Sequence, residues 1–241
     1  MKSITMINLT KKYGNLTAVN NLNLQIENGE LFALLGVNGA GKTTTIKMLS
    51  CLIPPTSGDA ILLGDSIIDG TQAVKEKINI SPQETAVATN LSVFENLEFM
   101  AAIYGADKNS SRQKAKEIAA SFGLDDVFKQ RAKTLSGGMQ RRLSIAMALI
   151  TNPQILFLDE PTLGLDVISR HELWRSIKAL KGKVTVILTT HYLDEVEVLA
   201  DRIGIMTKGE LSAVGTAEEL TRKTGTNTLE DAFITLVGGT V

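Results

Sequence analysis

Polar and apolar residues alternate along "NLNLQIE", Asn21 to Glu27, which predicts a strand buried on one face. The unbroken apolar run "LFALLG" that follows predicts a strand buried on both faces, with Asn28-Gly29 between the two as a hairpin turn. A glycine-rich loop comes next, then a helix from about Lys42 that stops before Pro54-Pro55. "DAILLGD" and "KINISPQ" read as short strands. After Gln83 the period changes. "SVFENLEFMAAIYG" opens with Ser92 and Glu95 at capping-box spacing, "SSRQKAKEIAASFG" closes on Gly123 as a C-terminal cap, and a third helix follows "LSGG". Strands return with "QILFLDE", a helix through Trp174, "KVTVILTTH", and a strand pair turning at Lys208-Gly209. The tail, "TAEELTRKTG" and "TLEDAFITLVGG", predicts two short helices. Strands alternating with helices point to an α/β fold with a mixed or parallel sheet. The expected division is a core of about 1–83 and 151–217 carrying an antiparallel β part, a helical insertion of about 84–150, and a tail of about 218–241.

Composition narrows the class. In a chain of 241 residues, 44% are apolar, enough for a sizeable core. The formal net charge of −1 argues against nucleic-acid binding by bulk charge, so no nucleic acid is expected as a partner. The single cysteine, Cys51, cannot close an intrachain disulfide and suits a reducing cytoplasm. The start lacks the apolar core of a signal peptide, and no apolar run approaches the roughly 18–20 residues that span a bilayer. A membrane role therefore requires a partner.

The chemistry is concentrated at strand ends. "GVNGAGKT", Gly36 to Thr43, matches G-x-x-x-x-G-K-[ST] between a buried strand and a helix. Backbone N–H groups of such a loop wrap a phosphate, Lys42 reaches the β- and γ-phosphates, and Thr43 offers a hydroxyl to Mg²⁺. "ILFLDE" ends four apolar residues in Asp159, a carboxylate placed to hold Mg²⁺, and Glu160, placed to polarise a water. Alone, an apolar run ending in Asp-Glu marks a strand entering a solvated loop. His191 follows "VTVILTT" and is placed to reach a γ-phosphate and Glu160. Gln83 ends a strand where the helical insertion begins, a position for an amide that touches Mg²⁺ or water and reports nucleotide state. Tyr13 is a candidate to stack on a base. His171, in "SRHELWRS", reads as part of a solvated helix face. "LSGGMQRR" starts a second helix with Ser136, Gly137 and Gly138, again suited to an anion.

Together these residues resemble the ATP-binding cassette (ABC) ATPases over nearly the whole chain. The order is aromatic Tyr13, Walker A Gly36–Thr44, Q-loop Gln83, signature "LSGGMQ", Walker B "ILFLDE", D-loop "PTLGLD" with Asp166, and switch His191. One departure is Met139 at the signature's fifth position, with Gln140 next. The resemblance implies ATP and Mg²⁺ as cofactors. It implies nucleotide contacts from Tyr13, Asn38, Gly39, Ala40, Gly41, Lys42, Thr43 and Thr44, metal contacts from Thr43, Gln83 and Asp159, and catalysis by Glu160, His191 and Gln83. It also implies a head-to-tail pair of cassettes, in which Ser136, Gly137, Gly138, Gln140 and Asp166 serve the neighbour's nucleotide. That assigns the second helix start to another chain's ATP. The expected setting is the cytoplasmic face of a membrane, beside a separate polytopic subunit, powering export of a drug, antibiotic, lipid, polymer or ion. Non-transport ABC ATPases of translation or DNA repair are the alternative. The first kind carries two cassettes per chain and the second a long coiled coil, and neither feature is present here. A kinase or GTPase lacks the "LSGGMQ" signature, and a nucleotide-binding regulator without turnover has no need of Glu160 and His191.

Overall fold

The computed structural model describes residues 2–238. Met1 and residues 239–241, the end of the expected tail, lie outside the described residues. Ten strands form two sheets among the described residues. β1 (Lys2–Tyr13), β2 (Leu16–Glu27), β4 (Ser57–Leu62) and β5 (Asp65–Ser66) make an antiparallel sheet in the order β2-β1-β4-β5. β3 (Leu31–Leu35), β6 (Ile78–Ser81), β7 (Ile155–Asp159), β8 (Thr185–Thr190), β9 (Arg202–Thr207) and β10 (Glu210–Gly215) make a mixed sheet in the order β10-β9-β3-β8-β7-β6. Every pairing in it is parallel except β9 with β10.

The helices are α1 (Lys42–Leu49), α2 (Thr71–Lys77), α3 (Val93–Ile103), α4 (Lys108–Ser121), α5 (Gly137–Leu149), α6 (Val167–Lys178), α7 (Leu193–Leu199), α8 (Ala217–Thr224) and α9 (Leu229–Val237). Alternate residues of each central strand enter two different cores. Leu31, Ala33, Leu35, Leu156 and Leu158 pack with Leu143, Trp174 and Val196 of α5, α6 and α7. Phe32, Leu34 and Phe157 pack with Ile46 and Leu49 of α1 and with Ile4 and Met6 of β1. The sheet is covered on both faces, which is why its strands read as continuous apolar runs. The capping box of Ser92 and Glu95 forms at the start of α3, and Gly123, at φ +60°, follows the end of α4.

One expectation needs correction. Asn28-Gly29 is not a hairpin turn, because β2 and β3 belong to different sheets. β2 pairs along its length with β1, and "LFALL", apolar on both faces, takes the interior place between β8 and β9. The turn carries the chain from one sheet to the other, with the Gly29 N–H donating to Thr185 Oγ1 at 3.0 Å. The hairpin lies instead between β1 and β2, and β1 carries no readable alternation. Its register shifts three times between Met6 and Lys12, and Asn8 sits at φ +51°, so the period-2 signal breaks along the strand.

Candidate functional site

Parallel pairing brings the C-terminal ends of β3, β7 and β8 side by side: Leu35 faces Thr190, and Asp159 faces Thr189. Ligands bind at such strand ends in open α/β sheets. A cavity of about 690 Å³ opens there, lined by Tyr13, residues 38–44, Gln83, Glu160 and His191. Leu16, Thr17, Ala18, Leu163 and Lys208 complete its wall.

The loop from Gly36 to Gly41 needs a glycine at its end. Gly41 has φ +104°, and a Cβ on it would lie 2.5 Å from the Ala18 carbonyl oxygen. Lys42, at the start of α1, is buried and turned back on the loop, donating to the carbonyls of Gly36 at 2.6 Å and Val37 at 3.3 Å. Its ammonium also lies 3.4 Å from Glu160 Oε1. The other carboxylate oxygen of Glu160 is 2.8 Å from His191 Nδ1. Glu160 has φ +47°, an unfavourable backbone for a non-glycine residue. Its N–H donates to both the carbonyl and the hydroxyl of Thr189, each at 3.1 Å, which holds the strained residue in place.

Asp159 lies under this pair. Its Oδ1 accepts from Thr43 at 3.0 Å and from Thr189 at 2.5 Å. A carboxylate and a hydroxyl in contact are hard oxygen donors, which fit Mg²⁺. No cluster of three or more His, Cys, Asp or Glu suited to a metal occurs among the described residues. A metal at Thr43 and Asp159 would take its remaining ligands from phosphate and water, as Mg²⁺ commonly does.

Ser136, Gly137, Gly138, Gln140 and Asp166 do not line the cavity. Ser136 caps α5, accepting from the Met139 N–H at 3.3 Å, and Ser136 and Gly137 are exposed. Gln140 spends its amide within its own chain, on the carbonyls of Ala132 at 3.1 Å and Leu135 at 3.3 Å. Gly138 touches α6 so closely that a Cβ would sit 2.5 Å from Ser169 Oγ. Asp166 caps α6 through the N–H and hydroxyl of Ser169, and these bonds hold its carboxyl below the usual range.

Sequence reasoning missed Arg141. It is 4% exposed and binds only backbone: Nε donates to Pro161 O at 2.9 Å, Nη2 to Asp159 O at 2.8 Å, and Nη1 to Gln83 O at 3.3 Å and to Pro82 O. One side chain of α5 thus ties together the strand ends that carry Gln83, Asp159 and Glu160. Burial pulls its guanidinium down to about 10, with Asp159 and Glu195 opposing. Glu195, on α7, is fully buried, which pushes its carboxyl up. Its Oε1 accepts from Trp174 Nε1 at 3.2 Å. Asn96 was missed as well: buried on α3, it binds the backbone of Ala88, Leu91 and Ser92 and so fastens the loop that follows Gln83.

A phosphate loop, Glu160 and a strand-end histidine lining one cavity, with Asp159 bonded to Thr43 of that loop, define a P-loop ATPase. The family model for the ABC transporter matches residues 19–163. The chain is 42% identical over 223 residues to the linearmycin resistance ATP-binding protein LnrL of Bacillus subtilis (strain 168), covering 92% of this chain and 72% of that one. It is 43% identical over 208 residues to the phospholipid-transporting ATPase ABCA3 of Homo sapiens, covering 86% of this chain but 12% of that much longer protein. Among solved structures, the dimeric post-hydrolysis state of the ATP-binding cassette MJ0796, bound to ADP and Pi, matches with a TM-score of 0.79 at 29% identity, covering 88% of this chain and 98% of that one. The chain belongs to the ABC transporter family. It is an ATP-binding subunit of that family and an ATPase.

Proposed function

We propose that this chain powers export through a separate membrane subunit, working in a head-to-tail pair at the cytoplasmic face of the membrane. The observation that carries the reading is the convergence of Lys42, Glu160 and His191, within 3.4 Å and 2.8 Å contacts, at the mouth of the phosphate-loop cavity. On this reading the N–H groups of residues 38–44 and the Lys42 ammonium bind the β- and γ-phosphates, and Tyr13 stacks on the base. Thr43, Asp159 and Gln83 would hold Mg²⁺, which when bound would neutralise charge on the phosphate oxygens. Glu160 accepts a proton from the attacking water, and His191 keeps that carboxylate aimed. Ser136, Gly137 and Gly138, outside their own chain's cavity, contact the γ-phosphate bound by the partner cassette. Gln140 supports that loop, and Asp166 sets the start of α6 beside it.

Support for a membrane partner comes from two sides. Among the described residues no helix is long and apolar enough to cross a membrane. Yet α3 and its C-cap present Phe99, Ile103 and Tyr104, each more than half exposed, an apolar surface in the segment that follows Gln83. We take residues 84–150 as the body that moves against the partner when ATP closes the pair. The export direction is supported by a relative named for linearmycin resistance, since removing a compound confers resistance to it.

Two inactive variants test the shared site. Lys42→Ala spoils the phosphate loop and leaves the signature intact, and Ser136→Arg does the reverse. Each alone has two defective sites. A mixed dimer holds one intact composite site, so ATP-dependent dimerisation returns on mixing. Differentially tagged heterodimers that form no more readily with ATP than without it would overturn the head-to-tail reading.

A further inference from the structure

A column of rings and one guanidinium runs from His191 away from the nucleotide cavity. The His191 ring centroid is 4.1 Å from that of Tyr192. The Arg170 guanidinium carbon is 5.7 Å from the Tyr192 ring and 5.4 Å from the Trp174 ring. Arg170 and Trp174 lie four residues apart on α6, so they share one helix face. Arg170 Nη1 also pairs with Asp194 Oδ2 at 3.1 Å. Its Nε is buried and makes no hydrogen bond among the described residues, so Asp194 and the two rings are the contacts that hold the guanidinium in place. Trp174 in turn donates to Glu195 Oε1 at 3.2 Å. Residues 192, 194 and 195, the segment directly after His191, are therefore all fastened to α6.

The other end of α6 faces outward. Its N-cap is Asp166, and around it Leu163, Val167 and Ile168 are exposed by 41%, 61% and 73%. Three apolar side chains left in solvent at one helix start mark a surface that is covered in the working assembly.

We propose that Arg170 is a positioning residue for hydrolysis. It clamps residues 192–194 to α6 and thereby holds the His191 imidazole against Glu160, so that displacement of the exposed start of α6 reaches the pair that activates water. The proposal rests on the reading of Glu160 and His191 given above. The geometry points to such a clamp: His191 is part-exposed, its Nδ1 lies 2.8 Å from Glu160, and its ring lies against the Tyr192 ring that Arg170 covers. A ring that loses its packing on one side swings about its Cα–Cβ bond, and displacing a catalytic group by about 1 Å costs on the order of 10²-fold in rate. Arg170 does not line the nucleotide cavity, and its contacts to Tyr192 and Asp194 reach the segment directly after His191.

A double-mutant cycle tests this, with kcat and KM for ATP measured well below the melting temperature of every variant. The variants are Arg170→Leu, His191→Ala and the double substitution. Arg170→Leu is expected to lower kcat about tenfold while KM stays within about twofold, and to add less than about twofold once His191 is gone. A residue that merely braces the fold would cost the same factor in both backgrounds, and that result overturns the proposal. So does an Arg170→Leu enzyme with wild-type kcat. If Arg170→Leu does not fold, Tyr192→Ala breaks the same column and carries the same expectations. If His191→Ala alone turns over like wild type, the catalytic reading of His191 fails, and the positioning role of Arg170 falls with it whatever Arg170→Leu does.

Discussion

Arg141 offers the sharpest test of what holds the catalytic strand ends together. Arg141→Met keeps most of the side-chain volume and removes the charge and all the donors. Four backbone carbonyls then lose a partner: those of Pro82, Gln83, Asp159 and Pro161. A hydrogen bond from a charged donor contributes about 1.5–3 kcal/mol. The contact to Gln83, at 3.3 Å, is long and shared with Pro82 on one nitrogen, so it counts for little. At the low end of the range the three remaining bonds are worth ~5 kcal/mol. Against this stands the cost of burying the charge. The fall of the guanidinium to about 10 corresponds to ~3 kcal/mol. The difference is a net loss of ~2 kcal/mol on substitution, which for a chain of this length lowers Tm by about 4–8 °C.

Calorimetry of wild type and Arg141→Met reads that shift directly. ATPase should fall too, because Gln83 and Glu160 sit on the released segments. Arg141→Lys separates charge from geometry. An ammonium cannot donate along three divergent directions from one plane, so most of the loss should remain. A Tm for Arg141→Met within about 2 °C of wild type would show that water or local shifts satisfy the carbonyls, and the clamp would carry no energy.

Three further substitutions probe neighbouring features. Because burial raises the Glu195 carboxyl, the folded chain keeps a proton that the unfolded chain has lost; the stability this supplies is present at low pH and is lost as pH rises through the folded value. Glu195→Gln lacks that dependence, so its Tm relative to wild type should be higher at about pH 8 than at about pH 5, and an equal difference at both would refute the buried-proton account. In the phosphate loop, Gly41→Ala meets the Ala18 carbonyl at 2.5 Å, whereas Gly39→Ala, at φ +82°, meets nothing within 4 Å. Gly39→Ala should cost ~1–2 kcal/mol of backbone strain alone and Gly41→Ala clearly more, with nucleotide affinity following the same order; the reverse order in thermal melts would contradict the packing assigned to the loop.

Part of the candidate site was legible because its residues stand where a change of period marks them, whereas Leu16, Thr17, Ala18, Leu163 and Lys208 of the cavity wall carry no such mark. Asp159, Glu160 and His191 follow apolar runs, Lys42 and Thr43 follow the glycine loop after another, and parallel pairing of those runs puts their ends together. Arg141 and Arg170 were not legible for the opposite reason. A cation in an amphipathic helix reads as a solvated position, and nothing in its own neighbourhood announces a buried partner. The partners of Arg141 are backbone carbonyls 18 to 59 residues away, and a carbonyl has no residue identity to read. Those of Arg170 are rings on α6 and on the segment after His191, and "SRHELWRS" taken alone is a solvated helix face. β1 was hidden by its bulges, and Asn28-Gly29 misled because a turn dipeptide specifies a reversal without specifying which strands it joins.

The contacts of Lys42 suggest why turnover waits for ATP. An ammonium has three N–H groups. Here two donate to the Gly36 and Val37 carbonyls, and the ammonium also faces Glu160 at 3.4 Å. On the proposed reading, an arriving phosphate must take at least one of these positions. The Gly36 contact, at 2.6 Å, is short and buried and is the last to be released. The contacts to Val37 and Glu160, at 3.3 Å and 3.4 Å, are long and are surrendered first. A phosphate anion repels the Glu160 carboxylate and attracts the ammonium, so both charges drive the same exchange. Glu160 is then held by His191 alone, with one oxygen free to accept from water. Before ATP arrives that oxygen faces the ammonium, so the residue assigned to water activation is occupied until the nucleotide releases it.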